Sequence, residues 1–508
     1  MENAGRHSAA RDVPNPFVHE LQLSGAQRIK GIILGSILTP IRIILAILAF
    51  IIMWFFALLR VVGLSEEELS RPITGWRQWV FHPIVLLLSR AVFFFAGFLW
   101  VKVKGRRANL KEAPVLVVAP HSSFLDMLVL CPTQLAMVMS RSENASLPVI
   151  GALLKFNQSL VVSRQDPESR KKAVTQLKER LSSNGYWPQM LIFPEGTTTN
   201  GKALLKFKHG VFLAGVPVQP VLLHYPNQLD TVRWTYKGTS WLEVVWHTTS
   251  QLYTNMTVEF LPVYEPSDEE KNNPGLYADN VQKVMANALG IPATDYVMEG
   301  DVPVRKLGGL SIPLELPARE TLTLLHRDGL GASDVAAALD KMTDRCQLEG
   351  QSSKVEVEEL AAVLGLSEMQ TANTIFGLYS KSQTVDLRQV CLSVAALSEC
   401  ISVKSLLHTA FTLFDSERRG SLTVAELSDL IGALLGVPQR HTDELYTAAS
   451  IDGRLIEDNL LRVLTSHPTY QRVVSEYLQL EAAPLSPLTN GKAAENGSGS
   501  LPPNKKFE

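Results

Sequence analysis

From Ile43 to Leu59 the chain runs seventeen residues without a charge, IILAILAFIIMWFFALL. As a helix this stretch measures about 26 Å, close to the hydrocarbon thickness of a bilayer. It has no polar face, so it fits poorly as the core helix of a soluble domain. It lies too far from Met1, and lacks a cleavage site, to be a removable signal peptide. Extended back to Ile32, the run takes in one charge, Arg42, and two breakers, Gly35 and Pro40. A second apolar stretch, Ile84 to Val101, carries Arg90 near its middle, which facing lipid would cost about 3 kcal/mol. Its aromatic group Phe93, Phe94, Phe95, Phe98 and Trp100 suits a membrane interface. Arg28, Lys30 and Arg42 flank the first stretch, and Lys102, Lys104, Arg106 and Arg107 follow the second. Positive charge at both outer ends favours a hairpin with both ends cytosolic over a single span.

With 508 residues the chain has room for two or three domains. A net charge of −2 provides no basic field for nucleic acid. Hydrophobic content of 46% is concentrated near the N-terminus. The four cysteines, Cys131, Cys346, Cys391 and Cys400, lack CxxC spacing. They build neither a disulfide framework nor a zinc site, and they suit a reducing compartment.

After Arg107 short apolar runs alternate with charged segments. Val115–Ala119, Ser159–Ser163, Met190–Phe193 and Val218–Leu223 read as buried strands, and Pro167–Ser183 as a solvated helix. This alternation predicts an α/β domain with a mostly parallel sheet, whose site gathers beyond the strands' C-terminal ends. His121 stands at one such end, followed by Ser122, Ser123, Phe124, Leu125 and Asp126. A spacing of five does not place two side chains on one helical face. It suits a turn in which the base precedes a helix and the acid sits in the helix's first turn. An imidazole that donates one proton to a carboxylate and accepts another from an alcohol is a general base. The bland alternative is a polar turn in which Ser122 or Ser123 caps a helix.

A second turn, Phe193-Pro194-Glu195-Gly196-Thr197-Thr198-Thr199-Asn200, follows another strand. Its backbone N–H groups and threonine hydroxyls offer donors to an anion or a hydroxyl. Lys202, Lys206 and Lys208 follow, and Lys206 and Lys208 are candidate phosphate contacts. Val216–Val221 (VPVQPV) is apolar with two prolines, Pro217 and Pro220, which disfavour a central strand position. It reads as a strand entering or leaving the core, or as a wall of an acyl tunnel.

The order HxxxxD, Val161-Val162-Ser163-Arg164, EGTT, VPVQPV resembles the glycerolipid acyltransferase family over roughly residues 100–300. Asn15–Leu21 (NPFVHEL), Val216–Pro226, Leu229–Trp234 (LDTVRW) and Phe260–Tyr264 are similar to the lysophosphatidylcholine acyltransferase subfamily with C-terminal EF-hands. Ile73–Arg77 and Ala288–Thr294 look most like the member of that subfamily associated with lysophosphatidylethanolamine as well as lysophosphatidylcholine. The resemblance implies that His121 takes the proton of a lysophospholipid hydroxyl, which attacks the thioester of acyl-CoA directly. Asp126 would orient His121 and stabilise its imidazolium. Backbone N–H groups near Ser122 and Ser123 would hold the oxyanion. Arg164, Glu195, Gly196, Thr197, Thr198 and Pro220 would contact substrate, with acyl-CoA as co-substrate and no permanently bound cofactor. Many relatives that take phosphatidic-acid precursors carry Arg where this chain has Thr198. Its absence tilts the substrate toward zwitterionic phosphodiester lysolipids.

Toward the C-terminus the chain turns helical. Asp415–Glu426 (DSERRGSLTVAE) has EF-hand spacing, with Asp415, Glu417, Thr423 and Glu426 among its oxygen positions. Arg419 occupies a ligand position and repels calcium, so no bound metal is expected. Ser380–Asp386 and Ile451–Gly453 read as remnants of further loops. The ending Lys505-Lys506-Phe507-Glu508 looks like a di-lysine signal, read by coat proteins that return cargo to the endoplasmic reticulum.

The organisation expected is therefore an N-terminal tail (1–30), a membrane helix or hairpin (31–101) and an α/β acyltransferase domain (102–300). A linker (301–330), a degenerate EF-hand-like helical domain (331–480) and a disordered tail (481–508) follow. The function implied is transfer of a fatty acyl chain to the sn-2 hydroxyl of lysophosphatidylethanolamine or lysophosphatidylcholine at the endoplasmic-reticulum membrane. Lysophosphatidylserine and 1-alkyl or 1-alkenyl lysolipids are further candidate acceptors. The alternatives are a lysophosphatidic-acid acyltransferase, a phospholipase or thioesterase, for which no GxSxG elbow is present, and a calcium-responsive membrane adaptor.

Overall fold

The computed structural model describes residues 15–163, 166–300, 302–347, 352–380, 382–397, 402–415 and 417–478. The chain divides into two compact units, Met1–Lys306 and Leu307–Glu508.

In the first unit, Ser24 and Gln27 form a capping box that starts helix α1, Gly25–Val61. Helix α2, Trp76–Phe95, packs beside it. Both are long and apolar enough to cross a membrane. Most of α1's isoleucines face outward, among them Ile33, Ile37, Ile44 and Ile51. Three arginines of the two helices, however, are anchors. Arg42 donates to the carbonyls of Thr249, Gln251 and Leu252 at 2.8, 2.5 and 2.7 Å. Arg60 donates to the Phe156 carbonyl at 2.5 Å and lies over the Phe156 ring. Arg90 donates to the carbonyls of Phe98 and Leu99, so it meets backbone oxygen and not lipid.

Seven strands build the central sheet: β1 (Val101–Lys104), β2 (Val115–Ala119), β3 (Met137–Arg141), β4 (Leu160–Val162), β5 (Met190–Ile192), β6 (Val218–His224) and β7 (Met256–Phe260). Their order is β1-β7-β6-β2-β5-β3-β4. Every neighbouring pair is parallel except β6 and β7. The sheet is therefore mostly parallel, as the alternation of segments predicts. Val115, Val117 and Ala119 of β2 pack on one face, and Leu116 and Val118 on the other. A strand buried on both faces needs an unbroken apolar run, which is why it stands out in the sequence. Helices α3 (Pro148–Phe156) and α5 (Trp241–Thr249) supply Leu154 and Val244 to the face of Leu116. Helices α4 (Pro167–Leu181) and α6 (Pro274–Leu289) supply Leu177, Leu181, Tyr277, Val281 and Met285 to the opposite face. Each such side chain contributes about 2 kcal/mol of burial.

Helix α1 meets this domain along much of its length. Gly35 packs so closely on Trp246 of α5 that a Cβ would lie 2.7 Å from the indole. Thr39 and Thr249 hydroxyls meet at 3.1 Å, and Arg60 reaches α3.

Two expectations are corrected. Pro220 sits inside the sheet, in β6 between β2 and β7. Its missing donor is tolerated because the ladder to β7 begins only at Val221. Val218 exchanges both of its hydrogen bonds with Tyr264, and the Pro220 carbonyl, on the same edge, accepts from Leu261 N–H. The described residues of the expected linker, 302–330, are structured. It holds the strands Val302–Leu307 and Leu310–Pro313 and the helix Pro317–Arg327. Leu310, Ile312, Ala318 and Leu325 enter the second unit's core.

The second unit is helical. Helices Ala332–Gln347 and Val357–Leu364, then Met369–Tyr379 and Leu387–Ala395, flank two loops joined by antiparallel pairing of Lys354–Val355 with Val385–Asp386. Helices Val403–Phe414 and Val424–Leu435, then Asp443–Ala449 and Glu457–Ser466, flank two more, joined by a bridge between Leu422 and Leu455. The C-terminal Lys505-Lys506 pair lies outside the described residues.

Candidate functional site

Strand β2 ends at Ala119, and a cis Ala119–Pro120 bond carries the chain into His121. A 3-10 helix, Phe124–Leu130, begins three residues later. Ser123 caps it by accepting from Leu125 N–H, and Asp126, in its first turn, accepts from Ser123 N–H. Capping chemistry thus turns the Asp126 carboxylate back toward His121. His121 Nδ1 lies 2.8 Å from Asp126 Oδ2. Asp126 is fully buried, and the His121 side chain is 18% exposed. An ionised carboxylate only accepts, so Nδ1 carries the proton and Nε2 keeps its lone pair. Such a ring can take a proton from an alcohol.

The same Oδ2 accepts from Ser122 N–H at 2.6 Å and Ser123 N–H at 2.9 Å. These two amides are therefore committed to Asp126, and the oxyanion role expected of them is withdrawn. On the other oxygen, the Tyr225 hydroxyl donates to Oδ1 at 2.5 Å. Burial and the Asp126 charge hold the Tyr225 phenol well above its ordinary range. The Phe193 ring stacks on His121 with centroids 4.1 Å apart. Phe124 and Trp234 meet edge to face beside them.

The second turn is sewn to the first. Glu195, 1% exposed, accepts from His121 N–H at 2.7 Å and from Leu205 N–H at 3.1 Å. Both of its oxygens serve backbone, so Glu195 braces the two motifs, where substrate contact was expected. Burial pushes its carboxyl up to about 8. Thr199 N–H donates to the His121 carbonyl at 2.8 Å, which sets the Gly196–Thr198 turn beside His121. Gly196 has φ +68°, and a Cβ there would strike the Lys208 side chain at 2.8 Å. Only glycine fits that turn.

The remaining expected residues divide. Thr197 and Thr198 are half-buried at the turn, and Ser122 and Leu125 are buried. Lys208 lies over Gly196. Lys206 points to Asp279 and Asp295 at 3.5 and 3.8 Å. Pro220 is buried in the sheet. Arg164 lies outside the described residues.

Three partners have no counterpart in the sequence reading. Tyr225 is one. Arg233 is another: its guanidinium donates to Ser122 Oγ and pairs with Asp230 at 3.0 Å. The third is the segment Asn15–His19. Asn200 donates to the carbonyls of Asn15 and Val18, and its N–H to that of Pro16. Val18–His19 pairs with Lys237–Gly238. The signal lies in the blocks NPFVHEL, LLHYP and LDTVRW, whose polar residues carry the family likeness without announcing what they bind.

In the second unit, Arg419 fills its own loop. It bonds both oxygens of Glu426 at 2.7 Å and reaches Glu417 at 3.3 Å, while Asp415 accepts from Arg419 and Gly420 N–H. Thr423 caps the following helix with Glu426. Among the described residues no cluster of three or more His, Cys, Asp or Glu is arranged to hold a metal.

Comparison with known proteins gives consistent relatives. The acyltransferase family profile matches residues 101–224. The lysophospholipid acyltransferase LPCAT4 of Homo sapiens is 47% identical over 476 residues, spanning 92% of this chain and 89% of its own. The lysophosphatidylcholine acyltransferase 2 of Homo sapiens is 38% identical over 471 residues, spanning 92% and 86%. Among solved structures, the 1-acyl-sn-glycerophosphate (LPA) acyltransferase PlsC from Thermotoga maritima aligns with a TM-score of 0.34 at 19% identity, covering 52% of this chain and 97% of that one.

Proposed function

We propose a reaction for this chain, which belongs to the acyltransferase family and, within it, to the lysophospholipid acyltransferases: transfer of a fatty acyl group from acyl-CoA to the free sn-2 hydroxyl of a lysophospholipid. The observation that carries it is the His121–Asp126 contact at 2.8 Å, with Nε2 left as the acceptor. His121 removes the hydroxyl proton as the oxygen attacks the thioester carbonyl. Asp126 stabilises the imidazolium and keeps the ring oriented. The tetrahedral intermediate collapses with loss of CoA, whose sulfur receives the proton held on His121. No acyl-enzyme is needed, because the thioester is already activated. The Gly196–Thr198 turn and Lys208 take the glycerophosphate. The lack of a guanidinium at Thr198 favours phosphodiester lysolipids with ethanolamine or choline headgroups over lysophosphatidic acid.

The helical pair α1–α2 serves as the membrane anchor in this reading. Gly35 and Arg60, both in contact with the α/β domain, stand about 37 Å apart along α1, more than the roughly 30 Å hydrocarbon core. A helix held to one water-facing domain over that length does not cross. It lies in one leaflet with its isoleucine face in lipid, and the catalytic domain and both chain ends stay on the cytosolic side of the endoplasmic reticulum. The paired helix–loop–helix units of the second half are EF-hand relics in which Arg419 stands where calcium would.

The test is labelled acyl-CoA with a panel of lysolipid headgroups, in membranes carrying wild type or His121→Ala. Transfer to ethanolamine and choline acceptors that disappears with His121→Ala supports the reading. Label released as free acid without an acceptor replaces it with a hydrolase.

A further inference from the structure

We propose that Tyr225 is a positioning residue for the reaction: by donating to Asp126 Oδ1, it fixes the carboxylate's rotation and sets the basicity of His121 from behind. The inference deepens the proposed reaction and rests on His121 being its base.

Asp126 has two oxygens with different duties. Oδ2 gathers His121 Nδ1 and the N–H groups of Ser122 and Ser123, all within 2.9 Å. Oδ1 takes the Tyr225 hydroxyl at 2.5 Å. The carboxylate is fully buried, so an oxygen without a donor would lose its solvation outright. Tyr225 supplies it from ninety-nine residues away, at the end of β6. Its phenol is held far above the ordinary range, so it stays a donor at every working pH.

The brace continues one layer out. The Arg233 guanidinium stands 5.8 Å from the centre of the Tyr225 ring, pairs with Asp230 and donates to Ser122 Oγ. Ser122 is held again through its carbonyl, which accepts Trp234 N–H at 2.9 Å. The residues from Tyr225 to Trp234 thus grip both ends of the carboxylate's donor set.

The electronic consequence has a sign. Each donor to Asp126 draws charge away from Oδ2 and weakens the stabilisation of imidazolium. Removing the Tyr225 hydroxyl returns that charge, so His121 holds its proton to higher pH. The other ionisable groups nearby, Glu195, Asp230, Arg233 and Lys208, all keep their side chains in the variant.

The experiment compares wild type, Tyr225→Phe and fluorotyrosine at position 225 in native membranes, reading kcat/KM for the lysolipid against pH. The phenylalanine variant should lose about tenfold at neutral pH, with the acid limb raised by about half a pH unit. Fluorotyrosine, a stronger donor of the same shape, should lower the limb. An acid limb that stays in place in both variants overturns the proposal, even if Tyr225→Phe is less active, because it then acts only through packing. If Tyr225→Phe does not accumulate as folded protein, the fluorotyrosine shift alone decides. His121→Ala in the same series separates the premises: retained transfer there removes the base itself, whatever Tyr225 does.

Discussion

Replacing Glu195 by glutamine should change how stability depends on pH. Glu195 sits between the two turns with both oxygens on backbone N–H groups. Burial, the largest influence, and the charge of Asp126 move its carboxyl from 4.5 to about 8, against the pull of those N–H groups and Arg233. A carboxyl displaced that far favours its neutral form by about 5 kcal/mol. Below pH 4.5 both the folded and unfolded chains hold the proton. As pH rises toward 8 the unfolded chain has released it and the folded chain keeps it, so the fold loses stability through that window. The loss levels off once the folded carboxyl has also ionised. Glutamine is neutral throughout and removes the slope, but it turns an amide N–H toward a backbone donor, at about 1–3 kcal/mol. The Glu195→Gln variant should therefore be less stable than wild type at about pH 5 and more stable at about pH 8.5. The assay is thermal unfolding followed by tryptophan fluorescence in detergent micelles at several pH values. Two curves that stay parallel across that range would refute the reasoning, because Glu195 would then titrate as an ordinary carboxylate.

Three other outcomes are expected. Thr198→Arg should raise the preference for lysophosphatidic acid over lysophosphatidylethanolamine about tenfold; an unchanged headgroup profile removes the argument from that position. Arg419→Asp, which deletes the guanidinium on Glu426, should create calcium binding in about the micromolar-to-millimolar range by calorimetry; no gain would mean that the loop is not a disabled cation site. Single cysteines in the 62–75 connection between α1 and α2 should react with a membrane-impermeant thiol reagent from the cytosolic face. Labelling only from the lumenal face would establish a true spanning hairpin.

Much of the candidate site is readable because it is local. His121 and Asp126 lie five apart, and β2 and β5 are continuous apolar runs beside their motifs. What escapes has a physical cause in each case. Strand β1 is VKVK, whose alternation is masked by the apolar stretch before it. Strand β3, MVMSR, ends in a charge and has no turn signal. Pro220 looks like a strand breaker because the place where the neighbouring ladder begins cannot be seen in one dimension. Arg42 and Arg90 look like defects in lipid-facing helices: the carbonyl partners of Arg42 come from a segment some two hundred residues on, and those of Arg90 from the turn just beyond its own helix. Ser122 and Ser123 offer two amides to an oxyanion until the fold shows them spent on Asp126. Tyr225 and Arg233, about a hundred residues from His121, have no spacing rule to announce them.

The docked segment Asn15–His19 has a mechanical consequence. His19 is fastened beside Lys237–Gly238, and α1 begins at Gly25. Six peptide links extend at most about 20 Å. The His121 turn is thus on a short leash to the greasy helix and, in the proposed reaction, unable to lift into bulk water to collect a monomeric lipid. Turnover on such a leash follows the crowding of acceptor within the sheet of lipid it rides on, and diluting that sheet with inert phospholipid slows it even when the total amount of acceptor in the tube is unchanged.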